Sequence, residues 1–249
     1  MIQREFQMIV AEVIKRCDNY FQNRLSAIYI TGSIHTNEAI IGESDLDGWI
    51  FIADDLSSRD KAWIKVTEMD IDSTYEIIDG VHINVKTVQE LHDDKFIRFA
   101  LKYNSTLCFG VDIIAKIESS GADTYEPNKS MAQGRLLFAR QCLEDAMINI
   151  CPECMEKIPK NTYFAARKFA RYFILVEGAY YLMAKGEFET YKQDRVVQQL
   201  KEHTVGFCDT LDRSLAVLKD PLTAAVKHDD YIAQIYPFVV WMFDEIKKA

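Results

Sequence analysis

The sequence predicts an α+β protein in which a small mixed-sheet domain is followed by an all-helical bundle domain. Up to residue 117, short β-branched runs typical of strands are interspersed with helical patterns, whereas from residue 129 onward the pattern is almost entirely helical. Residues 118–128 between them are rich in Ser, Gly, Asp and Pro, as in a linker. We therefore expect two domains, at residues 1–122 and 123–249, and 249 residues suit two small domains.

The elements of the first domain follow from the spacing of its apolar residues. Helices are predicted where apolar residues recur every three to four positions, and strands where β-branched residues cluster or alternate with polar ones. Asp79-Gly80 is a strong signal for a two-residue hairpin, and the arm at 81–86 alternates apolar and polar side chains. The predicted elements are a helix at 2–17, a strand at 27–31, a short helix at 37–41, a strand at 46–52, a helix at 59–69, a hairpin at 74–88, a helix at 89–103 and a strand at 106–117.

The second domain has apolar residues at helical spacing throughout. Pro237 lies inside the last predicted helix. The predicted helices lie at 129–150, 161–185, 190–203, 205–218 and 222–247.

Composition and charge exclude several classes of function. The net charge of −9 argues against broad nucleic-acid binding, which needs a basic face, and is compatible with a small cationic substrate. No apolar run is long enough to span a membrane, and the N-terminus is not a secretory signal, so we expect a cytoplasmic protein. The six cysteines form no disulfide-like framework, and the lone Cys151–Cys154 pair lacks two further zinc ligands at matching spacing.

The residues with the clearest chemical pattern follow the first two strands. Gly32-Ser33 ends the first strand, and Asp45 and Asp47 stand at the start of the second. Residues i and i+2 of a strand point the same way, so the two carboxylates can hold Mg²⁺ together. A Gly-Ser turn lets backbone N–H groups and the hydroxyl approach phosphate oxygens. The pattern therefore indicates a site for a metal-bound nucleoside triphosphate.

Gly-Ser followed after ten residues by SDLDGWIFI resembles the signature of the nucleotidyltransferase superfamily. Within it, the chain is most similar to the small aminoglycoside and lincosamide adenylyltransferases, which join an α/β catalytic domain to a C-terminal helical bundle. LCFGVDI (107–113) resembles the strand and turn that follow the catalytic sheet in that family. ARKFARYFILVEGAYYLMAKGEFETYKQDRVVQQL (166–200) resembles its helix–turn–helix.

The resemblance implies a role for each matching residue. Gly32 and Ser33 would contact phosphate, Ser44 would fix the loop, and Asp45 and Asp47 would be catalytic ligands of Mg²⁺. In the bundle, Lys192 falls on the family's lysine that reaches the nucleotide phosphates.

The sequence departs from the family at its third carboxylate. The equivalent strand is VHINVKTV (81–88), where His82 takes the place of the acid. Three explanations stay open. His82 is the general base, since a free imidazole titrates near neutral pH; or Glu76, Asp93 or Asp94 supplies a carboxylate from elsewhere; or the protein is an inactive relative that only binds nucleotide.

The resemblance implies a Mg²⁺-dependent enzyme that moves NMP, by family habit AMP from ATP, to a hydroxyl of a small acceptor between the two domains. The alternative is a weak or inactive nucleotide-binding or regulatory protein on the same fold. We expect no nucleic-acid or membrane partner, and a homodimer is left open because some family members build their site across one.

Three further sets of side chains have two readings each. The basic residues Arg167, Lys168 and Arg171 form either a solvated face or part of the cleft. Glu177, inside an apolar stretch, forms either a structural pair or a contact to a cationic substrate. His35 is either a phosphate contact or a loop residue.

Overall fold

The computed structural model describes residues 2–120, 132, 136, 163–204 and 206–248. The chain divides into two compact units, Met1–Glu126 and Pro127–Ala249. The predicted domain limits, 1–122 and 123–249, stay a prediction because their junction falls outside the described residues. Most of the predicted helix at 129–150 and the Cys151–Cys154 pair also lie outside them.

The first unit is built on a mixed four-stranded sheet in the order β3-β2-β1-β4. β1 runs antiparallel to both β2 and β4, and β2 runs parallel to β3. A parallel pair needs a crossover connection, which is supplied here by the helix α3. The elements in chain order are α1 (Gln7–Phe21), β1 (Leu25–Thr31), α2 (Gly32–Thr36), β2 (Leu46–Ile52), α3 (Ser58–Thr74), β3 (Val81–Thr87), α4 (Val88–Asp93), α5 (Lys95–Asn104), β4 (Ser105–Gly110) and α6 (Ile113–Ser119).

Each face of the sheet packs against its own helices. Ile28, Ile30 and Ile50 belong to a core that includes the apolar sides of α1 and α3. Tyr29 and Phe51 belong to a second core with residues of α4, α5 and α6. Successive strand residues point to opposite faces, so β1 and β2 contribute to both cores, whereas β3 contributes Val81 and Ile83 to the first core.

The predicted hairpin at 74–88 is wrong. Thr74 ends α3, and β3 pairs in parallel with β2 rather than with the segment before it. The N–H of Asp79 donates to the carbonyl of Ser44 (3.1 Å), and the N–H of Leu46 donates to the carbonyl of Gly80 (2.9 Å). The Asp-Gly dipeptide therefore lies where the crossover enters β3, and pairing with β2 overrides the local turn signal.

Two other predictions in the first unit need correction. The short helix is Gly32–Thr36 rather than 37–41, because Asn37 adopts a left-handed conformation (φ 61°) that ends it. The helix predicted at 89–103 is two helices, since Asp94 is extended and its side chain caps α5 by accepting from the N–H of Ile97.

The strand predicted at 106–117 ends at Gly110, and a helix follows. Gly110 has φ +80°, and the side chain of Asp112 caps α6 by accepting from the N–H of Ala115 (3.1 Å). The buried Tyr29 hydroxyl donates to Asp112 (3.2 Å) and accepts from the N–H of Ile113 (2.8 Å). Burial raises the pKa of Tyr29 to about 12, so this hydroxyl stays protonated as a donor.

A buried carboxylate supports the outer edge of β3. Because β3 is an edge strand, its outward N–H groups have no strand partner. Glu68, on α3, is 7% exposed and accepts from the N–H of Ile83 at 2.6 Å. Its other oxygen accepts from Lys65 (2.6 Å), whose side chain is 73% exposed.

Replacing Glu68 by alanine is expected to lower the free energy of unfolding by about 1–3 kcal/mol, because the buried amide of Ile83 loses its acceptor. Glu68→Gln retains an acceptor oxygen and should lose clearly less. Lys65→Ala, which removes a cation whose side chain is 73% exposed, should cost less than about 1 kcal/mol. Urea unfolding of the three variants, with hydrogen exchange at Ile83, checks the ranking, and equal losses in Glu68→Ala and Lys65→Ala would contradict it.

In its described part, the second unit is helical. The helix predicted at 161–185 contains a π-helical stretch, Arg171–Val176. The helix predicted at 222–247 is two helices, with Pro221 in the first turn of the shorter one and Pro237 inside the longer one. The helices of the second unit's described part are α7 (Tyr163–Ala170), α8 (Glu177–Lys185), α9 (Gln193–His203), α10 (Cys208–Lys219), α11 (Pro221–Ala224) and α12 (His228–Lys248).

Among the described residues, no helix has both the length and the apolar character needed to cross a membrane.

Candidate active site

The sheet register brings Asp47 and His82 side by side. Asp47 pairs with His82 across the parallel β2–β3 ladder and with Thr31 across the antiparallel β1–β2 ladder. Directly paired residues of neighbouring strands point to the same face. Asp47 is half-buried and His82 is exposed, while the residues before and after each in its strand are buried. The two side chains therefore share the more open face at the N-terminal ends of β2 and β3.

Asp45 and His82 both lie next to Gly80. A Cβ atom built on Gly80 would lie 3.5 Å from Oδ1 of Asp45 and 3.6 Å from Nε2 of His82. Asp45 directly precedes β2, and the side chain of Leu46 between the two aspartates is fully buried. Asp45, Asp47 and His82 thus surround the start of the parallel ladder.

The Gly-Ser turn follows the strand that pairs with Asp47. Gly32 has φ +69°, which a residue with a side chain rarely adopts, and it begins α2, in which Ser33 is the second residue. Ser33 is 7% exposed, and its Oγ has no hydrogen-bond partner among the described residues. A buried hydroxyl without a partner is costly, so a ligand oxygen at this turn would satisfy it.

Ser44 holds the loop between α2 and β2. It is fully buried, and its Oγ accepts from the N–H of Ile40 (2.9 Å). Its N–H donates to the carbonyl of Ile40 (3.0 Å), and its carbonyl accepts from Asp79. These bonds tie the segment before Asp45 to the segment before β3.

The contacts of Glu76, Asp93 and Asp94 in the structure do not bring any of these three candidate carboxylates to the start of β3. Glu76 is exposed in the connection between α3 and β3. Asp93 is exposed and accepts from a glutamine side chain on its own helix. Asp94 caps α5 and pairs with Lys86 (3.7 Å). Lys86 lies four residues beyond His82, a separation of about 13 Å along the strand.

The second unit contains the remaining predicted residues. Lys192 is exposed and directly precedes α9. Arg167 is 3% exposed and donates to the carbonyl of Leu218 (3.0 Å), so its reading as part of a solvated face is wrong. Glu177 is fully buried at the start of α8. In the first unit, His35 lies on α2 rather than in a loop, and its Nδ1 is 2.8 Å from the hydroxyl of Thr106.

The donor set suits a metal that is shared with substrate. Among the described residues, no three His, Cys, Asp or Glu side chains form a closed metal site. Mg²⁺ in nucleotide enzymes is commonly bound by one or two carboxylates together with substrate phosphates and water. Asp45 and Asp47 supply such a pair, and the orphan hydroxyl of Ser33 lies on the element that follows the neighbouring strand.

Sequence reasoning missed two contributors to this geometry. The sequence predicts that Gly80 belongs to a hairpin turn, although its place beside Asp45 and His82 depends on the parallel pairing. Glu68 lies in a helix whose sequence does not show which acidic residue faces the sheet.

Comparison with known proteins shows the fold. The structure is similar to the crystal structure of spectinomycin adenyltransferase AAD(9) from Enterococcus faecialis with ATP and spectinomycin, with a TM-score of 0.59 and 11% sequence identity. The match covers 96% of this chain and 98% of that one. No protein-family model matches the chain, and no curated protein does. The predicted α+β fold, with a small mixed sheet followed by helices, is thereby confirmed.

Proposed function

We propose that this protein is a Mg²⁺-dependent nucleotidyltransferase that moves NMP, in the first instance AMP from ATP, to a hydroxyl of a small acceptor. The observation that carries the proposal is the convergence of Asp45, Asp47 and His82 at the start of the β2–β3 ladder. The Gly32-Ser33 turn, with its unpartnered buried hydroxyl, follows the strand next to β2. The fold that positions these residues is similar to that of a spectinomycin adenyltransferase, which belongs to this class of enzymes.

Each residue has a defined part in the proposed reaction. Asp45 and Asp47 hold Mg²⁺, which when bound neutralises charge on the triphosphate. The backbone of Gly32 and the hydroxyl of Ser33 bind phosphate oxygens. The imidazole of His82, which is exposed on β3, accepts the proton of the attacking hydroxyl.

An aminoglycoside-like or aminocyclitol antibiotic is the acceptor class we propose. The similar structure was solved with ATP and spectinomycin, and the chain carries a net charge of −9 that favours a cationic partner.

The test is acceptor-dependent release of pyrophosphate. The protein is mixed with Mg²⁺, each of the four NTPs in turn, and a panel of aminoglycosides, spectinomycin and lincosamides. We expect release with ATP and at least one cationic acceptor, and mass spectrometry should show the acceptor increased by one AMP. Nucleotide binding without release for any acceptor would contradict the proposal.

The second candidate is a nucleotide-binding or regulatory protein on the same fold. It is favoured by His82, which stands where the sequence resemblance implies a carboxylate. This candidate predicts that ATP binds with Mg²⁺ and that no acceptor is modified. The same assay therefore separates the two functions.

A further inference from the structure

Gly80 is a glycine that the backbone does not require. Its φ lies outside the left-handed region, and a Cβ there would meet its nearest neighbours at 3.5–4.0 Å, which is ordinary van der Waals contact. Those neighbours are Oδ1 and Cγ of Asp45 and Nε2 of His82. The missing side chain therefore leaves a space about the size of a methyl group that faces two functional side chains.

We infer that this space receives the acceptor hydroxyl, and that Gly80 is a specificity-determining residue because it keeps the space open. The inference rests on the proposed transferase function and deepens it. The built Cβ position lies 3.5 Å from Oδ1 of Asp45 and 3.6 Å from Nε2 of His82, so an oxygen atom that enters this space is near both groups. Both groups can accept a hydrogen bond from a hydroxyl when the imidazole is neutral with Nε2 unprotonated.

The geometry gives the hydroxyl proton a destination. The acceptor oxygen forms a bond to the α-phosphorus, the bond from that phosphorus to the pyrophosphate oxygen breaks, and the proton moves to Nε2 of His82. The pyrophosphate leaves with the bonding electrons, so the step needs no further reactant. Asp45, close to the same space and one of the proposed metal ligands, places the hydroxyl beside the nucleotide.

Gly80→Ala is the direct test, because it adds one methyl group to this space. We expect kcat/KM for the acceptor to fall by about 10- to 100-fold, the usual cost of misplacing a reacting group by about 1 Å. KM for ATP and the affinity for Mn²⁺, measured by electron paramagnetic resonance without turnover, should remain at the wild-type values.

Gly48→Ala is the matched control within the same sheet. Its Cβ would meet the side chains of Ile30 and Ile83 at 3.6 and 4.0 Å, so the methyl group points into the core. We expect this variant to retain wild-type kcat/KM. Wild-type activity in Gly80→Ala would overturn the assignment of the space while the transferase function stood. A wild-type protein that binds ATP and Mn²⁺ but modifies no acceptor would overturn both.

A second variant, His82→Ala, tests the same space by removing a neighbouring side chain. His82→Ala should lose activity and regain part of it with added imidazole, which can enter the enlarged space. In the double variant that combines His82→Ala with Gly80→Ala, added imidazole should restore less activity than in His82→Ala alone. Neighbouring changes that share a space are not additive. Equal recovery in both backgrounds would overturn the inference.

Discussion

Asp47→Asn is expected to lower acceptor-dependent pyrophosphate release by at least about a thousandfold while leaving the fold intact. Asp47 lies in β2 between Thr31 and His82 and is half-buried at the open face of the sheet. Asparagine keeps the shape of the side chain but removes the charge that is proposed to hold Mg²⁺. Loss of a metal ligand costs several kcal/mol of transition-state stabilisation, and about 1.4 kcal/mol corresponds to a tenfold change in rate.

The measurement is kcat for AMP transfer together with the midpoint of thermal unfolding. Asp93→Asn is the matched control, because it removes the same charge from an exposed carboxylate that bonds to its own helix. We expect that control to keep wild-type kcat. Turnover by Asp47→Asn within tenfold of wild type, with its unfolding midpoint unchanged, would refute the role of Asp47 as a metal ligand.

Gly110→Ala is expected to lower the free energy of unfolding by about 3–5 kcal/mol, the range of severe single substitutions. Gly110 ends β4 with φ +80°, a conformation that costs a residue with a side chain about 1–2 kcal/mol. A Cβ at this position would lie 2.1 Å from the carbonyl oxygen of Ser26. Because that atom belongs to the backbone, the β1–β4 pairing itself must shift, and the clash adds to the conformational cost.

Two glycine controls separate these contributions. Gly186 has φ +78° with nothing within 4 Å of a built Cβ, so Gly186→Ala should show the conformational cost alone. Gly206 has neither a positive φ nor a near neighbour, so Gly206→Ala should stay within about 0.5 kcal/mol of wild type. Urea unfolding followed by circular dichroism measures all three variants. A loss in Gly110→Ala no larger than that in Gly186→Ala would show that the backbone contact carries no cost.

Prediction from sequence worked best where the pattern is local. The strand at 46–52 is confirmed residue for residue, and its last three residues, Ile50–Ile52, are buried on both sides of the sheet. The alternation predicted along 81–86 is confirmed for its first four residues: Val81 and Ile83 are buried, whereas His82 and Asn84 are exposed.

Prediction failed where a local signal competed with distant partners. Asp79-Gly80 favours a hairpin by itself, but the strand after it is paired with β2 and anchored at its outer edge by Glu68. The strand predicted through 117 ends at Gly110 because the hydroxyl of Tyr29, eighty-odd residues earlier in the chain, organises the start of α6. Neither partner can be identified from neighbouring residues.

The fold class and the candidate site residues can be predicted from the sequence, because apolar periodicity and a Gly-Ser/Asp-x-Asp spacing are properties of short segments. Which of those residues meet depends on pairings between distant segments. The parallel register sets His82 beside Asp47, and the entry into β3 places Gly80 against Asp45 and His82. Strand register is set by how both faces of the sheet pack, and a shift by one residue would turn every one of these side chains to the opposite face.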